Sequence, residues 1–458
     1  MTSRILASAA FFGLAASGLA AQQPAPPRAA RPTAASAAPA AYEPPAGMPR
    51  VTLQDALRLA AQASPAMVQA RQNVRVAAWG QRQAMGAFLP TLSTSASGSR
   101  ASAARYNPNT GQISSNNLTP YSESYGLRAS INLFTGFQRG ANVRAAAATA
   151  DLRQAAQLQQ EYATALSTKQ AFFAALANAE LVTVAETQLR RSDEQLKLTT
   201  EKLRLGATTR SDSLTAMVDY GNSQLQLIQA RANLQYAQVN LGRAIGTDGA
   251  VAPVPDTSLE LRLGPLDTAE LRREALATAP AVRQAEASLL AARAALASQR
   301  AQWMPTLSAS WSQNWSRATG IIRDSIPWVS NWNIGLSLSY PLFNGFQRET
   351  SIATADANTI TAQASLRDAR LALDASLTQA IAGLDASSQQ IDIARSSVAA
   401  AEENLRMQRE RYRLGTSTIV DLLTSQAALN QAQANLVQAR YNYLVARAQI
   451  EALVGHTL

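Results

Sequence analysis

The chain has 458 residues, a formal net charge of +10, one histidine and no cysteine. The lack of cysteine excludes disulfides, thiolate metal sites and lipid attachment at a cysteine, and the scattering of Lys and Arg along the chain marks solvated helix faces rather than a nucleic-acid footprint. The apolar share of 47% is dominated by alanine in long runs without Gly or Pro, which suits thin helical walls better than the thick-cored domains this length would otherwise suggest.

Residues 1–21 read as a secretory signal peptide: Arg4, an apolar run over 5–16, then small residues ending at Ala20 and Ala21. The run is shorter than the ~20 apolar residues a spanning helix needs, so export is expected rather than anchoring. Residues 22–50 are Pro/Ala-rich and read as a flexible segment. Folding is expected from Val51, with a helix opened by Thr52, broken at Pro65 and continued to about Ala87.

The same plan returns later in the chain. TAELRREALATAPAVRQAE matches VTLQDALRLAAQASPAMVQAR with Pro280 answering Pro65 at an offset of 215 (280 − 65), and QWMPTLSASWS matches AFLPTLSTSAS with Pro305 answering Pro90. From Gly206 and Gly415 through Asp212 and Asp421 to Gly246 and Gly455 the offset is 209 (415 − 206), without a gap. The chain is a tandem duplication. Repeat 1 covers 51–246 and repeat 2 covers 266–458; a Pro/Gly-punctuated linker over 247–265 joins them and carries an alternating run at Leu259, Leu261 and Leu263.

Pro90 and Pro305 are expected to end helices, after which the period changes to two. Over 333–343, Ile334, Leu336, Leu338, Tyr340 and Leu342 point one way and Asn333, Gly335, Ser337 and Ser339 the other. In repeat 1, Tyr125, Leu127, Ala129, Ile131 and Leu133 oppose Gly126, Arg128, Ser130 and Asn132. Apolar-out, polar-in strands of ~9–11 residues fit tilted membrane strands. Their partners are expected at about 89–103 and 304–316, giving β-hairpins at about 89–134 and 304–343. Trp303, Trp311, Trp315, Trp328 and Trp332, five of the six tryptophans, lie in the second hairpin region, where an aromatic girdle belongs. The polar hairpin loops, ARYNPNTGQISSNNLTP and RATGIIRDSIP, are expected to face outward. A soluble hairpin packed on a core would need covering segments that the chain does not supply.

LFTGFQR and LFNGFQR then turn strand into helix. Helices are expected over 137–205 and 346–414; at ~1.5 Å per residue each spans on the order of 100 Å. Gly206 and Gly415 close them, and Thr209 with Asp212, or Thr418 with Asp421, opens the next helix, 209–245 or 418–454, as a T-x-x-D capping box. Leu422, Leu429, Leu436, Tyr443 and Ile450, like Tyr220, Leu227, Leu234 and Leu241, recur at strict sevens, so each repeat should close as a coiled-coil hairpin.

YRLGTSTIVDLL followed by ARYNYL closely resembles the second tip turn and closing helix of the TolC family of outer-membrane efflux ducts, and the likeness runs from about Val51 to Gly455. The resemblance implies a mixed α and β membrane fold: four transmembrane strands per protomer, pooled by a homotrimer into a twelve-stranded barrel above a periplasmic helical tube. Two copies would supply eight strands and three would supply twelve; it is the resemblance that selects three. The linker would belong to an equatorial belt. The protein would sit in the outer membrane of a Gram-negative-type cell, in contact with outer-membrane lipid. It would serve as the passive exit duct of a tripartite efflux or type I secretion system, docking with a periplasmic adaptor and an inner-membrane transporter of RND or ABC type. The alternative is a soluble periplasmic coiled-coil scaffold or adaptor without a pore.

By the same resemblance, Asp212, Tyr412 and Asp421 fall at positions of the periplasmic entrance and its closing network, whereas the bare sequence gives the two aspartates only as helix caps. The family's best-known members carry an Arg where this chain has Ser417 and a second inward Asp where it has Thr424; Arg210 on the neighbouring tip is the candidate replacement cation. Adaptor docking is expected at Leu205, Gly206, Ala207 and Thr208 and at Leu414, Gly415, Thr416 and Ser417. Lipid contact is expected at Leu127, Ile131, Ile334, Leu336, Leu338 and Tyr340. No catalytic, cofactor-binding or metal-ligating residue is expected: His456 is the lone histidine, H-E-x-x-H, G-x-S-x-G and Gly-rich phosphate loops are missing, and Glu402 and Glu403 sit on ordinary solvated helix faces.

Overall fold

A computed structural model describes residues 47–100, 104–115, 121–255, 267–319 and 327–457. The expected signal peptide, nearly all of the segment over 22–50, the linker leucines and parts of both hairpin loops lie outside the described residues.

Repeat 1 begins with β1 (Arg50–Val51), α1 (Leu53–Ala63) and α2 (Pro65–Gly86). Thr52 caps α1 by accepting from the Asp55 amide at 3.2 Å, and Ser64 caps α2 at 3.3 Å from the Met67 amide, with Pro65 in the first turn where no amide hydrogen is needed. Four strands come next: β2 (Thr91–Arg100), β3 (Ala104–Asn107), β4 (Gln112–Ser115) and β5 (Tyr121–Phe134). Then come α3 (Gln138–Arg204), α4 (Arg210–Ile245) and, in the linker, β6 (Ala252–Pro253), which pairs parallel with β1. Repeat 2 runs α5 (Thr268–Thr278), α6 (Pro280–Arg300), a 3₁₀ turn (Ala301–Trp303), β7 (Thr306–Thr319), β8 (Val329–Ser339), α7 (Gln347–Arg413) and α8 (Ile419–Val454). Pro90 and Pro305 do not end helices. α2 stops at Gly86 and α6 at Arg300, and each proline sits just before a strand, where its missing donor breaks no ladder bond.

β2, β5, β7 and β8 form one antiparallel sheet in that order, so the two hairpins join through β5 and β7 while β2 and β8 are left as edges. The first hairpin loop is not wholly irregular, because β3 and β4 pair within it. β8 starts four residues earlier than the alternation suggested and ends before Pro341, leaving Tyr340 just beyond the strand. A β-bulge between Asn132 and Phe134 takes Leu133 out of register, so Phe134 and not Leu133 pairs with Leu307.

Each corner from strand to helix holds two consecutive left-handed residues: Gly136 (φ 60°) and Phe137 (φ 66°), Gly345 (φ 67°) and Phe346 (φ 62°). Gln138 N–H donates to the Thr135 carbonyl at 3.1 Å, closing a type I′ turn. A left-handed Phe costs about 1–2 kcal/mol. Compensation comes from edge-on contacts with Phe134 and Phe343, ring centroids 5.5 and 5.4 Å apart, and from arginines at matching positions. Arg139 donates to the Leu133 carbonyl at 2.9 Å, and Arg348 donates to the Pro341 carbonyl at 3.1 Å while lying 4.0 Å from the Trp303 ring centroid.

α3 and α7 have 67 residues each, about 100 Å of helix. α2 lies along α3, α6 along both α3 and α7, and α4 and α8 along the remaining lengths of α3 and α7. The core is therefore distributed. Its largest piece lies midway along the long helices, around Phe172, Leu241, Leu377, Tyr443 and Ile450, where α1 and α5 add a further layer. There Glu451 pairs with Lys169 and Arg447, and Tyr162 donates to the Gly455 carbonyl. Smaller pieces lie around Val182 and Leu234, and at the tip around Leu405, Tyr412 and Leu422.

Candidate functional site

The two helix–helix turns share one geometry. Thr416 N–H reaches the Arg411 carbonyl at 2.9 Å and Gly415 N–H the Tyr412 carbonyl at 3.2 Å; Ala207 and Gly206 do the same to Lys202 and Leu203 at 2.8 and 3.0 Å. This is the Schellman arrangement, and it puts Gly415 (φ 77°) and Gly206 (φ 72°) in the left-handed conformation. Both capping boxes are complete. One oxygen, Asp421 Oδ2, accepts from Thr418 Oγ1 at 2.7 Å and Thr418 N at 3.1 Å, and Ser417 Oγ lies 3.2 Å away. These bonds, led by the Thr418 hydroxyl, lower the Asp421 pKa. Asp212 Oδ2 accepts from Thr208 Oγ1 at 2.7 Å and Thr209 N at 3.3 Å, and its pKa is lowered chiefly by Thr208.

Tyr412 is buried where α7 meets the other hairpin. Burial, reinforced by the Asp212 carboxylate, pushes its phenol pKa up; Thr208 and Gln195 lie beside the hydroxyl, but no hydrogen bond of good geometry closes. Lys202 Nζ sits 4.3 Å from the centroid of its ring. Asp212 and Tyr412 are thus brought together. Asp421 remains on the exposed side of its own turn, and Arg210 is exposed and has no ion-pair partner among the described residues. Leu205 and Leu414, 72% and 69% exposed, project from the ends of the two turns.

Between the edges of the sheet, the two faces differ chemically. Leu92, Tyr125, Leu127, Ala129, Ile131, Trp311, Trp315, Trp332, Ile334, Leu336 and Leu338 share one face by register. Ile334, Leu336 and Leu338 are 69%, 68% and 70% exposed, Leu127 and Ile131 are half-buried, and Tyr340 is exposed past the strand end. The opposite face is hydroxylated. Thr91 Oγ1 with Ser130 Oγ, Ser97 Oγ with Ser124 Oγ and Ser99 Oγ with Ser122 Oγ form cross-strand pairs, each at 2.7 Å. No described helix is long and apolar enough to cross a membrane.

Residues 56–247 and 271–456 match the family profile described as "Outer membrane efflux protein". The chain belongs to that family. Both repeats are covered by the match, and the break between them takes in most of the linker and runs on to the start of α5. The chain is 30% identical to the outer membrane protein TolC of Escherichia coli (strain K12) over 122 residues, which is 27% of this chain and 25% of TolC. That alignment spans about a quarter of the relative. It is 25% identical to the alkaline protease secretion protein AprF of Pseudomonas aeruginosa over 348 residues, covering 73% of this chain and 69% of AprF. The crystal structure of the Campylobacter jejuni CmeC outer membrane channel superposes with a TM-score of 0.71 at 18% identity, over 88% of this chain and 85% of CmeC. The fold is TolC-like.

For this efflux-family chain, sequence reasoning missed Lys202, Gln195 and the part Thr208 plays around Tyr412. Lys202 answers Arg411 at the repeat offset, and only that correspondence marks it in the sequence.

Proposed function

We propose that three copies pool their sheets into a closed twelve-stranded barrel, forming the outer-membrane exit duct of a tripartite efflux or type I secretion system. The observation that carries this is a four-stranded sheet with one exposed apolar face, one hydroxylated face and two unpaired edges, continued by helices of about 100 Å. Unpaired edge groups in hydrocarbon cost several kcal/mol each, so β2 of one copy pairing with β8 of the next removes the penalty. The signal peptide over 1–21 carries the chain out, the segment over 22–50 leads into the fold, and the tube hangs in the periplasm.

At the tube's end Asp212, Tyr412, Asp421 and Arg210 govern the entrance. The turns over 205–208 and 414–417 meet a periplasmic adaptor that links the duct to an inner-membrane transporter; Leu205 and Leu414 supply apolar anchors. The duct conducts passively.

Purified protein in detergent should have the mass of three protomers and give discrete conductance steps in planar bilayers. A monomer that stays soluble without detergent and conducts nothing would instead be the coiled-coil scaffold.

A further inference from the structure

Arg128 stands midway along β5 on the hydroxylated face, in one register row with Ser93, Ser312 and Asn333. Its neighbours along the strand on that face are Gly126 and Ser130, so the guanidinium overtops everything around it, and the residue is exposed. Among the described residues of β2, β5, β7 and β8 it is the only charged side chain on this face. Among the described residues it has no ion-pair or hydrogen-bond partner. Glu123 and Arg317 occupy the opposite face and neutralise each other, Arg317 Nε lying 2.5 Å from Glu123 Oε2.

An isolated guanidinium at mid-strand is sustainable only against water, because burying a charge that has no local counter-charge is costly. We propose that Arg128 is an anion filter inside the barrel: a ring of three guanidinium groups at one level that draws carboxylate-, sulfonate- or phosphate-bearing cargo through the exit. The filter presupposes the trimeric duct proposed for this chain. Guanidinium suits these oxyanions because its fork of donors matches two oxygens at once. A uniformly uncharged wall would have no preference, so the ring sets the sign for the outer part of the path. Three charges about 10 Å from the axis should raise the local anion concentration about two-fold at 0.1 M salt and about four-fold at 0.01 M, where screening is weaker.

The test is ion selectivity in planar bilayers, read as the reversal potential across a KCl gradient. Arg128→Ser, which continues the surrounding chemistry, should keep the trimer mass and the conductance steps but shift the reversal potential toward cation preference, more strongly at low salt. The chain has no cysteine, so Arg128→Cys provides a single thiol. A cationic methanethiosulfonate reagent should then restore anion preference by forming a mixed disulfide with release of sulfinate, and an anionic reagent should deepen the loss. Steps of normal size with unchanged reversal potentials in all these channels would overturn the filter and leave the duct standing. No conductance from wild-type trimers would overturn both.

Discussion

At the scale of single residues, one substitution at Asp421 separates the cap it forms from the entrance role proposed for it. Its lowered pKa means that the cap is at full strength above the ordinary aspartate value of 3.8 and is lost as pH falls through the lower folded value. Asp421→Asn keeps an oxygen acceptor but not the charge, so it should unfold at a slightly lower temperature than wild type at pH 7, while the acid-dependent loosening of the turn should vanish. Hydrogen-exchange protection of the Thr418 amide between neutral and acid pH measures this; loosening that persists in the variant would refute it. Should the carboxylate also face the entrance, the variant loses block by multivalent cations in planar bilayers, since like charges sharing a constriction focus negative potential. Unchanged block would leave the cap alone.

Among the elements, the tip turns test what glycine is for. Gly415 adopts φ +77° in open space, so a methyl group meets no atom and the whole penalty is conformational. Gly415→Ala should cost about 1–2 kcal/mol. Gly383 lies inside α7, also with nothing within 4 Å, and Gly383→Ala should stabilise by about 0.5–1 kcal/mol. Opposite shifts of the unfolding midpoint in detergent are expected; shifts of the same sign would contradict the assignment. These turns were legible in the sequence because every signal in them is local, a Gly followed three residues later by the Thr that opens a T-x-x-D box. The strands were less so. Alternation from Asn333 onward hid the start of β8, because Val329 falls on the hydroxylated face and Ser330 on the apolar one. Leu133 continued the alternation on paper, yet the bulge that removes it depends on pairing with β7, which no local pattern encodes. The surroundings of Tyr412 were hidden likewise, since Lys202 reaches its ring across two helices distant in sequence.

For the molecule as a whole, the proposed duct requires the sheet to meet lipid on one side and water on the other. Arg at Leu338 should cost about 2–4 kcal/mol if that face meets mid-bilayer lipid, whereas Arg at the adjacent Ser337 should be tolerated. Trimer yield after extraction and refolding into vesicles measures both variants. Equal tolerance would place both faces outside lipid, and the reverse order of tolerance would exchange them.

The paired left-handed residues at each corner gain a mechanical meaning from the long helices they launch. α3 and α7 are lever arms of about 100 Å, so one degree of play at Gly136–Phe137 or Gly345–Phe346 would swing a tip by ~1.7 Å. That is more than half the length of a hydrogen bond. A corner made of two flexible glycines would let thermal noise at the membrane blur the far end of the tube. A phenylalanine pinned in a costly conformation, with an arginine clasping a carbonyl near the strand's end, gives the hinge stiffness in proportion to the arm it carries.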